Sequence, residues 1–154
     1  ALGEKLGLLE FKQAVLGLPV NHVWLGHGSA IFVELGELSP TYLRDGSTGN
    51  PSGNFTLMVE WSWRIEKPRS ILGGSYSSAR RWPSMLKKLL GSTVTGLETI
   101  GAIPEIQLSL SNGTRVVSFM TESGQPQWAL ISRQPGFGTL CVKNGRVCVD
   151  SGNS

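Results

Sequence analysis

An Asn-Gly pair at Asn112-Gly113 stands between two runs in which apolar and polar residues alternate, and it constrains this chain more than any other feature. Asn-Gly best tolerates the positive φ angles of a type I′ turn, the two-residue connection whose twist matches that of antiparallel strands. A turn of that kind pairs Leu110 with Arg115, Leu108 with Val117 and Ile106 with Phe119. Ile106, Leu108, Val117 and Phe119 then share one face, and Gln107, Ser109 and Ser118 the other, as a half-buried sheet requires. Thr93 to Ile100 before this hairpin and Gln127 to Arg133 after it read as further strands, and Asn144-Gly145 closes a second hairpin. The second half of the chain is thus expected to be an antiparallel meander.

The first half mixes periods. Leu8, Phe11, Val15 and Leu18 recur at near-helical spacing, with Gly17 and Pro19 as a stop, which predicts a helix from Glu4 to Leu16. Val23 and Leu25, then Ile31, Val33 and Leu35, alternate on either side of Gly26-His27-Gly28-Ser29 and predict a hairpin. Glu37 to Asn54 is rich in Ser, Thr, Pro, Gly and Asn without periodicity, and reads as a long exposed loop. Leu57, Val59, Trp61, Trp63 and Ile65 alternate with mostly polar residues, which predicts one strand from Thr56 to Glu66 with a large apolar face. Gly73 to Ser78 reads as a flexible connection. Trp82, Met85, Leu86, Leu89 and Leu90 then line one stripe of a helix from Pro83 to Leu90, with Gly91 as its C-terminal cap.

With 154 residues, 40% hydrophobic and 16% charged, the chain has too many large apolar residues for a disordered tail. No apolar run approaches the roughly 20 residues of a membrane-spanning helix, so no membrane partner is expected. Twenty glycines against eight prolines favour a turn-rich sheet over a helical bundle. The expected fold is a single α+β domain over residues 1–154. Its mainly antiparallel β-sheet of about eight or nine strands is strongly bent or barrel/sandwich-like, with two covering helices.

Only two cysteines are present, which fits a reducing, cytoplasmic compartment. A two-residue turn at Asn144-Gly145 sets Cys141 directly opposite Cys148, on a hydrogen-bonded pair where a disulfide is strained, and two packed thiols are the favoured state. His22 and His27 are expected on opposite faces of a strand. With no His-x-His, His-Glu-x-x-His or Cys-x-x-Cys, neither a metal nor a cofactor is expected. No Gly-x-Ser-x-Gly elbow marks a nucleophile. The chain opens at Ala1 without methionine, which leaves room for a removed leader. Asn54-Phe55-Thr56 and Asn112-Gly113-Thr114 match a glycosylation sequon that matters only in a eukaryotic secreted protein.

Charge is uneven. Between Arg64 and Lys88 seven basic residues meet the single acid Glu66, a local balance of +6 within a chain of +3. A well-solvated flank explains this more simply than an anionic partner does. Gly73 to Ser78 runs into Arg80-Arg81 and a helix start, so Ser75, Tyr76, Arg80, Arg81, Lys87 and Lys88 form the best ligand or anion site the residues offer. Trp82 belongs to the apolar stripe. Trp61 and Trp63 are expected on one strand face, buried beneath the N-terminal helix or across a two-fold interface.

Ser70-Ile71-Leu72-Gly73-Gly74-Ser75, Leu90-Gly91 with Val94, Leu108 to Gly113 and Trp128-Ala129-Leu130 follow one another in a way that resembles small uncharacterised bacterial domains. In those domains a strand bearing L-x-G-x-x-V precedes a hairpin and a tryptophan-containing strand. The resemblance covers about half the chain and implies a bacterial cytoplasmic origin and a β-rich fold. It implies no catalytic residue. Together these features lead to a non-catalytic ligand-binding or protein-interaction domain, expected as a homodimer. The alternatives are a nucleic-acid or other anion binder using the basic 64–88 segment, and a small hydrolase-like enzyme with a His27 or Cys141 centre.

Overall fold

The segment expected as one strand from Thr56 to Glu66 is two strands in two different sheets. The computed structural model describes residues 2–123 and 126–151. In chain order the elements are α1 (Leu2–Val15), β1 (Val20–Leu25), β2 (Ile31–Leu35), β3 (Phe55–Val59), β4 (Trp63–Glu66), β5 (Ile71–Gly74), α2 (Trp82–Lys87), β6 (Val94–Ile100), β7 (Glu105–Leu110), β8 (Arg115–Ser118), β9 (Trp128–Ser132), β10 (Thr139–Lys143) and β11 (Arg146–Asp150). One sheet has the order β1-β2-β3-β9-β10-β11 and the other β5-β4-β8-β7-β6. Every pairing is antiparallel, and neither sheet closes into a barrel.

The expected α+β architecture with two helices is the observed one, with eleven strands among the described residues instead of eight or nine. The surplus has two sources. The long strand splits at a corner, and Gly73-Gly74, expected as a flexible connection, instead completes β5 by pairing with Ile65 and Arg64.

Between the sheets lies one apolar core. Ile31, Val33 and Leu35 of β2, Phe55, Leu57 and Val59 of β3, and Trp128 and Leu130 of β9 meet Trp63 and Ile65 of β4 and Ile106 and Leu108 of β7, all fully buried. Strict alternation within each ladder produces this, because a strand turns every second side chain to the same face. Helix α1 adds Phe11 and Val15 to the core. The Phe11 ring packs edge-on against Phe55 and Phe137, with centroids 6.1 and 5.2 Å away.

Each helix runs from an edge of one sheet to an edge of the other: α1 touches β10, β11 and β6, and α2 touches β1 and β5. Lys12 of α1 ties to Glu98 of β6 at 2.6 Å. Helix α2 stops at Lys87, short of the expected Leu90. Beyond it the carbonyls of Leu86 and Lys87 accept from the N–H groups of Leu89 and Leu90, the tighter pattern of a fraying last turn. No described helix is long and apolar enough to cross a membrane.

The two Asn-Gly hairpins differ. At Asn144-Gly145 both residues take positive φ (52° and 72°), and the ladder pairs Lys143 with Arg146, Val142 with Val147 and Cys141 with Cys148, as expected. At Asn112-Gly113 only Gly113 does (φ 86°), and the loop has three residues, closed by the Leu110 N–H donating to the Thr114 carbonyl at 2.9 Å. The expected register is therefore wrong by one residue on β8: Leu108 faces Val116, Gln107 faces Val117 and Ser109 faces Arg115. The Asn112 Oδ1 accepts locally from the N–H and hydroxyl of Thr114 at 3.1 and 2.6 Å, while its amide NH₂ donates to the Lys88 carbonyl at 2.9 Å. That side-chain turn competes with the two-residue geometry.

Candidate ligand-binding groove

At the corner where the chain leaves one sheet at Val59 and enters the other at Trp63, the alternation of side chains restarts. Glu60 donates its N–H to the Gln127 carbonyl at 2.8 Å, and Ser62 accepts at its own carbonyl from the Phe119 N–H at 3.0 Å. Ser62 and Trp63 are both buried. Trp63 is 0% exposed and donates its indole N–H to the Ser29 carbonyl at 2.7 Å, whereas Trp61 is 57% exposed. The two tryptophans therefore do not share a face, contrary to expectation, because the corner breaks the period of two between them.

Trp61 flanks a depression of about 400 Å³ whose other walls are Tyr76, Ser62, Gln127 and the 121–123 segment. Tyr76 is 79% exposed, stands 3.5 Å from the Ser62 hydroxyl through its own, and tilts against Phe119. Gln127 is buried and fixed, its side-chain amide donating to the Glu122 carbonyl at 2.6 Å. Across the same 121–123 segment lies a second, larger lobe of about 680 Å³, with Ile103, Met120 and Val142 as apolar wall and the Asn144-Gly145 turn as rim. Glu105 and Glu122 are its charged residues, and no lysine or arginine lines either lobe among the described residues. Both Glu105 oxygens are occupied, by the Ser118 hydroxyl at 2.7 Å and the Met120 N–H at 2.8 Å. Among the described residues the Glu122 carboxylate accepts from the Ser123 N–H, at 3.4 Å. The groove thus offers two exposed aromatic faces, an apolar wall and a negative rim.

Of the six residues expected to hold a ligand or anion, Tyr76 is the one this groove uses. Ser75 is committed elsewhere: its N–H donates to the Trp63 carbonyl at 2.9 Å, and its hydroxyl oxygen accepts from the Trp63 N–H at 3.1 Å. Gly74 likewise donates its N–H to the Ser77 hydroxyl at 2.9 Å. These donors, which lie in the segment expected to hold an anion, serve the β5 turn itself. Arg80, Arg81, Lys87 and Lys88 are exposed and make no ion pair among the described residues, although Arg81 donates to the Leu72 carbonyl at 2.8 Å. Trp82 packs against the core and donates its indole N–H to the Gly74 carbonyl at 3.1 Å.

His22 projects from the outer face of β1 and meets the Asn50 side chain at 2.9 Å, while His27 lies exposed in the turn before β2 and not on a strand. The cysteines occupy the far side of the same sheet, where β1 and β10 are separated by four strand spacings, roughly 19 Å. Histidine and cysteine are not brought into one centre. No cluster of three or more metal-ligating side chains occurs among the described residues.

One deeply buried acid escaped notice in the sequence. Glu34, 1% exposed on the outer face of β2, accepts from the Trp24 indole N–H at 2.8 Å, the Gly53 N–H at 3.0 Å and the Thr56 hydroxyl. It pins the 37–54 arm, itself a small hairpin joined by Ser39–Ser52 and Tyr42–Thr48 bridges, onto the sheet. In the sequence Glu34 sits on the polar side of an alternating strand and carries no mark of burial.

No protein-family model, curated protein or solved structure matches this chain.

Proposed function

We propose that this domain is a non-catalytic binding module and that its site is the two-lobed groove at the corner between the sheets. The observation that carries the reading is that Trp61 and Tyr76, both exposed, line one depression together with Ser62 and Gln127, Trp61 being the one exposed tryptophan among the described residues. Large aromatic faces left in water beside a concave surface are the usual hallmark of a binding site. The negative rim and the aromatic faces together favour a ligand that is cationic and partly apolar, such as an arginine- or lysine-bearing peptide segment. The probe is a set of short peptides pairing an apolar residue with arginine, and their glutamate counterparts, titrated into isotope-labelled protein. Shifts of the Trp61 indole N–H and of Tyr76 with the cationic set, lost in Trp61→Ala, support the reading. Shifts elsewhere, or equal response to the acidic set, overturn it.

A second reading rests on a separate observation: Lys67, Arg69, Arg80, Arg81, Lys87 and Lys88 are all exposed and form no ion pair among the described residues. Such a flank suits an anionic partner, nucleic acid included. Labelled DNA and RNA binding that falls steeply with salt and with Arg80→Ala/Arg81→Ala supports it; no binding at low salt removes it.

The homodimer remains a proposal of the same kind, with exposed Trp61 and the edge strands as its natural contacts. A bacterial, cytoplasmic origin is supported by the strand succession from Ser70 to Leu130 and by two free thiols.

A further inference from the structure

Cys141 and Cys148 face each other across the last hairpin with their sulfur atoms 3.4 Å apart, on the sheet face turned away from the core. Their neighbours in the ladder, Leu140 and Val142 on β10 and Val147 on β11, are the residues that point into the core. The turn angles of Asn144 and Gly145 hold this register, so the proximity is built into the backbone and does not depend on a flexible side chain. Ala129, the residue opposite Cys141 on β9, is small enough to leave the sulfur room.

The two thiols differ in access. Cys141 is 4% exposed, whereas Cys148, on the edge strand, is half-buried. Burial, and next the contact with Cys148, push the Cys141 thiol up to about 11. A reagent arriving from solvent therefore meets Cys148 first, with Cys141 waiting behind it, the arrangement of an attacking and a resolving thiol.

We propose that Cys141 and Cys148 are a reversible oxidation site that takes low-molecular-weight disulfides as its substrate and, once oxidised, staples edge strand β11 to β10. The Cys148 thiolate attacks one sulfur of the small disulfide, forming a mixed disulfide and releasing one small thiolate. The Cys141 sulfur, as thiolate, then attacks the Cys148 sulfur, forming the Cys141–Cys148 bond and releasing the second. Two protein thiols lose two electrons, the small disulfide gains them, and the two protons end on the departing thiols. The same exchange run backwards by a small thiol opens the bond again, which makes the oxidation reversible.

Strand β11 pairs with β10 and is otherwise held by α1, so the staple fixes a sheet edge on which α1 rests. The same turn forms a rim of the larger groove lobe, but the site stands whether or not that groove binds anything.

The test uses the reduced 154-residue chain, treated with glutathione disulfide under native conditions and followed by intact mass. The expected product is about 2 Da lighter than the reduced protein, carries no added small thiol, returns to the starting mass with dithiothreitol and melts a few degrees higher. Cys141→Ser is expected to stop at the mixed disulfide on Cys148, formed near the wild-type rate. Cys148→Ser is expected to react at least roughly tenfold more slowly. Circular dichroism of both serine variants checks that they fold. Mixed disulfide persisting on the wild type, equal rates for the two variants, or oxidation only in urea overturns the proposal.

Discussion

The indole N–H of Trp63 donates to the backbone carbonyl of Ser29 at 2.7 Å, joining the first residue of one sheet's β4 to the loop that closes the other sheet's β1–β2 hairpin. Two residues earlier, Trp61 stands in solvent. Trp63→Ala is expected to cost about 3–5 kcal/mol, since it removes a fully buried ring and leaves a carbonyl without its donor. Trp61→Ala is expected to stay within about 0.5 kcal/mol of the wild type. Urea unfolding of the two variants checks the contrast, and a large loss in Trp61→Ala would make that residue structural.

Glu34 holds three donors from three parts of the chain. Glu34→Gln replaces an acceptor oxygen by an amide NH₂ that must face a donor. We expect a loss of about 2–4 kcal/mol, together with faster proteolysis within the 37–54 arm that Glu34 pins. Unfolding curves and limited digestion measure the two effects separately.

Acid should weaken the second sheet through Glu66. Partial burial pushes its carboxyl up, but hydrogen bonds from Arg115 and Arg64, at 2.8 Å each, and their charges outweigh burial and hold it below the usual 4.5. A carboxylate lowered by folding contributes stability that is present above its ordinary value and is lost as pH falls through the folded one. The stability difference between wild type and Glu66→Gln is therefore expected to shrink as pH is taken from 6 toward about 3. A difference that stays constant over that interval would contradict the ion-pair account.

Gly145 and Gly113 carry positive φ at the two hairpin turns. Substituting alanine at either is expected to cost about 1 kcal/mol. Thermal melts measure the cost. In Gly145→Ala we also expect slower formation of the Cys141–Cys148 bond, because that turn holds the register.

Period and turn chemistry are local, and where the fold followed them it was legible in the chain. The alternation of Ile31-Val33-Leu35, the helix bearing Phe11 and Val15, and the Asn144-Gly145 hairpin with its opposed cysteines all follow from neighbours a few residues apart. The failures also have local causes that only geometry reveals. Asn112 bonds its own loop through its side chain and shifts β8 by one residue. Ser75 gives its donors to Trp63, twelve positions away in the chain.

The site was less legible than the fold. Tyr76 stands out in the sequence for its place in a Gly-Ser connection, but Trp61, which lines the same depression, reads there as the companion of Trp63 on one buried strand face. The amino-acid sequence by itself determined that this chain builds antiparallel sheets around an apolar core, because side-chain period and turn preference act over a few bonds. Which sheet each strand joins, that Trp61 faces water while Trp63 is sealed, and that Glu34 is buried were decided only by tertiary structure. A strand that turns a corner between sheets resets the inside and the outside of every residue that follows, and nothing within the strand records where that corner falls.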